Sequence, residues 1–188
     1  MKSCCPLIIL FCIALLYQAS AQNSQSNSTT EWKLYTIGKS GLKIKFPKEP
    51  SYDVRELNEN MDQYTRKVYL KDSKGFNFVY FISVINYKTV DSIDSAAFIN
   101  AATTIVNSIL KNSYNFTIRK ESALTFKNCI AKSVNATVKF SSADSTNYNG
   151  LSVLIKNQAV FMYVMTDPGY VDTDKRISQF FDALTWED

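Results

Sequence analysis

The sequence predicts an α+β domain, a mainly antiparallel sheet flanked by helices. Short runs of alternating apolar and polar residues are joined by brief turns, which makes antiparallel neighbours the economical topology. One run, Phe76 to Tyr87, is apolar on both of its alternating faces, so the sheet that contains it must be covered on both sides. Two further segments carry apolar residues three and four apart, the spacing of an amphipathic helix. A sheet with two apolar faces and two helices to cover them is a layered domain.

Residues 1–21 read as an export leader. Lys2 precedes an apolar run from Leu7 to Leu16, and the stretch closes on Ala19-Ser20-Ala21, so cleavage is expected after Ala21. The apolar run falls short of the roughly 20 residues that cross a bilayer, and no transmembrane segment is expected in the mature chain. Cys12 follows Phe11 rather than a small residue, which ranks lipid attachment below simple export. Cys4, Cys5 and Cys12 leave with the leader and Cys129 alone remains, so the exported domain must be held by its core rather than by an internal disulfide. The formal net charge is +4 and falls by one without Lys2. So small an excess does not mark a nucleic-acid or membrane surface.

Residues 22–30 form a flexible linker, since Asn23 to Thr30 offers nothing apolar to bury. Residues 31–188 are of single-domain size. Trp32, Leu34 and Thr36 alternate with Lys33 and Tyr35, Gly38 and Gly41 flank a turn, and Leu42, Ile44 and Phe46 alternate with Lys43 and Lys45, which predicts two strands. The lysines read as a solvated face or a guarded edge. Pro47 and Pro50 follow. Proline lacks the N–H that continues a ladder and biases the residue before it toward extended backbone, so these two end one strand and redirect the chain.

Alternation resumes at Tyr64, Val68 and Leu70, then Asp72 to Gly75 supplies a turn before the Phe76–Tyr87 strand. Asp91, Ser92, Asp94 and Ser95 are candidate caps for a helix whose broad apolar face comprises Phe98, Ala101, Ala102, Ile105, Val106, Ile109 and Leu110. Further strands are expected at Phe116 to Phe126, Cys129 to Phe140, Leu151 to Lys156 and Ala159 to Thr166, the last two joined by an Asn157-Gln158 turn. Pro168 and Gly169 stop the last strand, Asp172 or Thr173 caps, and Ile177, Phe180, Phe181 and Leu184 make the stripe of a second helix.

No catalytic, cofactor-binding or metal-ligating residue is nominated. The absence of histidine excludes histidine-dependent triads and histidine zinc sites. Cys129 at a strand start is read as a small packed thiol. Asp167, Asp172 and Asp174 offer oxygens to a hard cation, but turn and cap roles account for them, and Asp91 and Asp94 have the same explanation. The glycines at 38, 41, 75, 150 and 169 bracket no phosphate-cradling loop. Asn27, Asn115 and Asn135 each open a glycan acceptor triplet, which matters only in a host that glycosylates exported proteins.

The order Trp32, Tyr35, Gly41, then "LKIKFPKEP", long strands, a helix, a hairpin and a terminal "ISQFFDAL" resembles the PsbP/Mog-like superfamily, with Phe46-Pro47 and Pro50 the most specific piece. The resemblance spans Trp32 to Trp186 and implies an α/β/α sandwich. Such proteins include extrinsic photosystem subunits, a Ran-binding nuclear import factor and bacterial exported proteins, so the resemblance implies a binding role without an active site. The photosystem members' metal sites use histidine and have no counterpart here. The expectation is a secreted or periplasmic, non-catalytic domain whose partner is another protein, acting as an accessory, assembly or immunity-type factor. Exposed tyrosines and sheet-edge backbone are its expected contacts, while Tyr64, Tyr69, Tyr80 and Tyr87 read as half-buried sheet residues. The alternatives are a carrier of a small apolar ligand, marked by a pocket lined by residues such as Phe98 or Phe180, and a hydrolase built on scattered carboxylates.

Overall fold

The structure, a computed structural model, describes residues 31–88, 94–101, 104, 115–139, 144–170 and 173–187. The expected leader and linker, Asn27, Asp91, Ser92, Ala102, Ile105, Val106, Ile109, Leu110, Phe140 and Asp172 lie outside them. In chain order the elements are β1 (Lys33–Thr36), β2 (Lys43–Phe46), β3 (Ser51–Asn58), β4 (Met61–Lys71), β5 (Asn77–Tyr87), helix α1 (95–101), β6 (Asn115–Phe126), β7 (Cys129–Lys139), β8 (Ser145–Ile155), β9 (Gln158–Thr166) and helix α2 (Thr173–Asp182). β1 and β2 form a sheet of their own, and the other strands form one seven-stranded sheet in the order β3-β4-β5-β9-β8-β7-β6. Every pairing is antiparallel.

The two-faced strand is β5, held between β4 and β9. Phe78, Tyr80, Ile82 and Val84 point into the main core with Val153, Val160, Met162 and Val164. That face is covered by α2, through Phe180, and by the β1–β2 hairpin, through Ile37, Leu42, Ile44 and Phe46. The opposite face carries Tyr148 with Val134, Ala136, Val138 and Met165, and beside them Phe98 of α1 against Ala159 and Phe161. The sheet is thus covered on both faces. The hairpin, expected only as a pair of strands, shares with α2 the work of shielding one face.

Several sequence expectations are corrected. In β1 the inward residues are Tyr35 and the following Ile37, whereas Leu34 is 52% exposed, because the register sets Leu34 opposite the exposed Lys45 while Tyr35 packs its ring against Phe46 at 6.1 Å. Ser51–Asn58, assigned to no strand from the sequence, is β3. β8 begins at Ser145 rather than Leu151, because β7 and β9 give its polar first half a ladder on both sides. The β8–β9 turn is Lys156-Asn157, with Lys156 at a φ of 52°, and Gln158 already belongs to β9. Ala101 is exposed rather than part of α1's apolar face. Leu184 lies beyond α2 and is buried by a separate device: its amide bonds back to Phe181, and the next residue, Thr185, makes an isolated bridge to Lys43.

Capping follows local chemistry. Asp94 is the residue chosen to cap α1, its Oδ1 accepting the Ala97 amide at 2.7 Å. The β6–β7 turn places Lys127 and Asn128 at φ values of 47° and 66°, the mirror-image turn whose twist suits a tight hairpin. In β8 the ring of Tyr148 lies on Gly150, where a Cβ would come within 2.6 Å of its hydroxyl. Burial pushes that hydroxyl's pKa far above the ordinary tyrosine value.

Candidate functional site

Pro47 and Pro50 are both buried where the chain crosses from the hairpin into the main sheet. They deliver it to β3, which among the described residues is an edge strand paired with β4 alone. Along β3 only Arg55 and Leu57 are half-buried, and the rest is exposed. An edge strand leaves one row of N–H and C=O groups without a ladder partner, a ready template for another strand.

The side chains on this edge are organised. Tyr52 is 46% exposed and Val54 51% exposed. They alternate with Asp53 and Arg55, which form an ion pair at 2.7 Å. Arg66 of β4, opposite Tyr52 in register, donates from Nε to the Thr36 carbonyl at 2.9 Å and lays its guanidinium 4.3 Å from the Tyr52 ring centroid. The cation thereby holds an aromatic ring that remains nearly half exposed. Val54 stands opposite Tyr64, which is buried, and the Tyr64 hydroxyl donates to Asp62 at 3.3 Å. Burial first, then the charge of Asp62, raises the Tyr64 pKa above the usual tyrosine value. Glu56 lies 3.7 Å from Lys88, which makes its closer contact to Asp62 at 3.0 Å. That hydrogen bond to Asp62 is the chief reason the Lys88 pKa is raised.

The opposite edge, β6, is a poorer template. Its register shifts between Ile118 and Lys120, in mid-strand, and Arg119, Lys120 and Glu121 are all exposed around that bulge. A mid-strand bulge with charges interrupts a second ladder. β3 is irregular only between Glu56 and Asn58, at its far end.

The remaining sequence candidates fall elsewhere. Cys129 is half-buried at the start of β7 and packs against the main core. Asp167, expected only in a turn, accepts the backbone amide and side-chain amide of Asn77 of β5 at 2.9 and 2.8 Å, a contact between strands. Asp174 lies in the first turn of α2, where a negative charge suits the helix dipole. Among the described residues no three acidic or cysteine side chains come together as a metal site. Tyr80 is fully buried rather than half-buried, with Trp32 edge-on at 5.4 Å and Phe180 at 5.3 Å. Its hydroxyl sits beside the Arg176 guanidinium without an aligned hydrogen bond, and burial raises its pKa against the opposing pull of Arg176. Tyr69 and Tyr87 are half-buried as expected, and Tyr64 is buried.

Phe180 lies inside an aromatic cluster and Phe98 packs on Phe161, and neither lines the cleft that the described residues form beside the β1–β2 turn. That cleft, of about 230 Å³, lies between the β1–β2 turn, the β8–β9 turn and the C-terminal segment, with Lys43, Ile155, Trp186 and Glu187 in its walls. Asn115 is exposed at the start of β6, whereas Asn135 donates from Nδ2 to Asn149 Oδ1 at 2.6 Å within the sheet. Sequence reasoning missed β3 altogether, although Tyr52 and Val54 alternating with Ser51, Asp53 and Arg55 directly after a proline carried the signal.

No family model and no curated protein matches the chain. Solved structures do. Cyanobacterial PsbP (CyanoP) from Synechocystis superposes with a TM-score of 0.51 at 11% identity, over 88% of this chain and 98% of that one. The chain has a PsbP/Mog-like fold. LpqN, described as involved in cell envelope biogenesis of Mycobacterium tuberculosis, matches at a TM-score of 0.43 and 13% identity over 84% of this chain and 91% of that one. The Saccharomyces cerevisiae Ran-binding protein Mog1p matches at 0.46 and 9% identity over 85% and 97%. At such identities the PsbP/Mog-like likeness establishes the layers and their order, as the sequence resemblance implied, and the binding surface has to be argued from this chain's own residues. Among the described residues no helix is long and apolar enough to cross a membrane.

Proposed function

We propose that this protein is an exported, non-catalytic binding domain that recruits another protein chain by strand addition at β3. The observation that carries the reading is an edge strand with an open ladder and with Tyr52 and Val54 exposed on it, one of them held by Arg66. Main-chain hydrogen bonds along such an edge supply affinity, and alternate side chains supply selectivity. An accessory or assembly role outside the cytoplasm fits a domain of this kind, and residues 1–21 would then be removed after Ala21 and residues 22–30 would tether the domain.

A photo-crosslinking residue at position 54 tests the surface. Expressed in the native host, it is expected to capture a discrete protein band that the same residue at exposed Thr125 on the far side of the sheet does not. Equal capture at both positions, or none at 54, would sink the proposal. Amino-terminal sequencing of the exported material is expected to begin at Gln22.

A further inference from the structure

The partner at β3 is open to a sharper argument, which rests on the strand-addition reading above. We infer that the strand this edge takes is β3 of a second copy, paired antiparallel about a twofold axis through Val54, so that two sheets join into one.

The inference comes from register and charge. Two identical edges meeting in one continuous sheet must be related by a twofold axis perpendicular to it, and residues directly opposite each other then share a face. The axis must therefore pass through one residue and its own symmetry mate. Each choice can be judged by its cross-strand pairs, where opposite charges and apolar contacts stabilise and like charges destabilise. An axis at Asp53 sets carboxylate against carboxylate, and an axis at Arg55 sets guanidinium against guanidinium. An axis at Glu56 repeats the first fault, and one at Tyr52 brings Pro50 against Val54, with no N–H to share.

Of these axes, the one at Val54 sets opposite charges across the strands and leaves Pro50 only against Asn58, past the irregularity at the strand's end. Val54 meets its mate, both apolar and both exposed in the single chain. Asp53 meets the mate's Arg55 and Arg55 the mate's Asp53, so the ion pair within each β3 extends into an alternating set of charges. Glu56, whose contact to Lys88 is long at 3.7 Å, meets the mate's uncharged Tyr52, so no like charges oppose each other there. The regular stretch between Pro50 and the irregularity after Glu56 brackets this register, and moving the axis by one residue either way sets like charges opposite each other, carboxylates at Asp53 or guanidiniums at Arg55. The charges that would repel a misregistered copy are the same ones that select this one.

Sedimentation equilibrium of the purified protein over a concentration series from micromolar to millimolar tests the inference. The expected result is a reversible monomer–dimer equilibrium. Arg55→Asp, which sets two carboxylates opposite each other at two symmetric places, is expected to weaken it by about tenfold or more. The double variant Asp53→Arg, Arg55→Asp restores opposite charges and is expected to bring the affinity back. Val54→Asp, a change on an exposed side chain that folding should tolerate, places like charges on the axis and is expected to abolish the dimer. A monomer at every concentration overturns the inference, and so does a dimer indifferent to Arg55→Asp or a folded double variant that stays monomeric. The crosslinker at position 54 separates the two claims. Capture of a different protein by a monomeric chain leaves the strand-addition reading standing and removes the second copy. Capture of the chain's own residues 1–30 removes both, because the edge is then covered from within.

Discussion

The ring of Tyr64 occupies the space that a side chain on Gly38 would need. A Cβ built on Gly38 would lie 2.1 Å from Tyr64 Cδ1, and the backbone there has a φ of 54°, a conformation that only glycine adopts without strain. This contact clamps the β1–β2 turn onto β4 directly beneath the residue opposite Val54. Gly38→Ala combines the strained backbone with overpacking against a buried ring, and is expected to cost roughly 2–4 kcal/mol of unfolding free energy in urea titrations. A loss within experimental error of zero would mean that Tyr64 does not rest on Gly38. Gly41, with its φ of 75° and open space around it, should tolerate alanine better, since only the backbone term applies.

Lys127 ties the far end of the domain together. Its Nζ donates to the carbonyl of Asp182, the last residue of α2, at 2.8 Å, and to that of Leu184, just beyond the helix, at 2.7 Å. No basic residue lies in the helix's own last turn, so the cation comes from the β6–β7 turn. Lys127→Met keeps the alkyl stem and is expected to lower stability by about 1 kcal/mol, with faster amide exchange at the end of α2. Unchanged exchange there would show that the last turn is held by packing alone.

How much of this was legible in the sequence depends on whether a residue's partner lies nearby in the chain. The alternation of Leu42, Ile44 and Phe46 and the two-faced β5 were readable because burial on a pleated surface repeats every second residue. β1 misled because Trp32 packs before the strand begins, so counting from it put Leu34 inside. β8 was read short because Ser145–Gly150 sets Thr146 and Tyr148 among a serine, two asparagines and a glycine, and is held by neighbours from both sides. Leu184 was read as helical because the i, i+3, i+4, i+7 pattern is blind to a chain that leaves the helix and still points inward. The edge at β3 hid for the opposite reason: with its exposed Tyr52 and Val54 it buries almost nothing, and burial is what periodicity detects.

Asn135 and Asn149 form a polar pair across β7 and β8, and Asn149 is buried with its Nδ2 lacking an acceptor. Asn135→Ala removes the remaining bond and is expected to destabilise by about 1–3 kcal/mol, whereas replacing both asparagines by apolar residues should recover part of that loss. The same bond bears on modification. Expressed through a glycosylating secretory route, folded protein should carry a glycan at exposed Asn115 and none at Asn135, whose amide nitrogen is engaged inside the sheet. A peptide map of soluble, cooperatively melting material with a glycan on Asn135 would contradict this geometry.

The C-terminal segment should release as the solution becomes acidic. Lys43 and Thr185 exchange backbone hydrogen bonds at 2.9 and 2.8 Å, and next to them Lys43 Nζ donates to Glu187 Oε1 at 2.8 Å. The Lys43 hydrogen bond and charge hold the Glu187 carboxyl below the ordinary glutamate range. A carboxylate whose pKa is lower in the docked state than in the free state favours docking above its free value, and that preference vanishes as pH falls through the docked value. Docking of Trp186 and Glu187 against the β1–β2 turn should therefore be complete at neutral pH and weaken below about pH 4. Both groups of the pair are exposed, so the effect is expected in local amide exchange at Thr185 rather than in the global midpoint. Lys43→Met is expected to remove the pH dependence while leaving the backbone bridge to Thr185 in place. A Thr185 protection factor, taken against the intrinsic exchange rate at each pH, that is flat with pH in the unaltered protein or equally steep in Lys43→Met would show that the ion pair does not hold the segment.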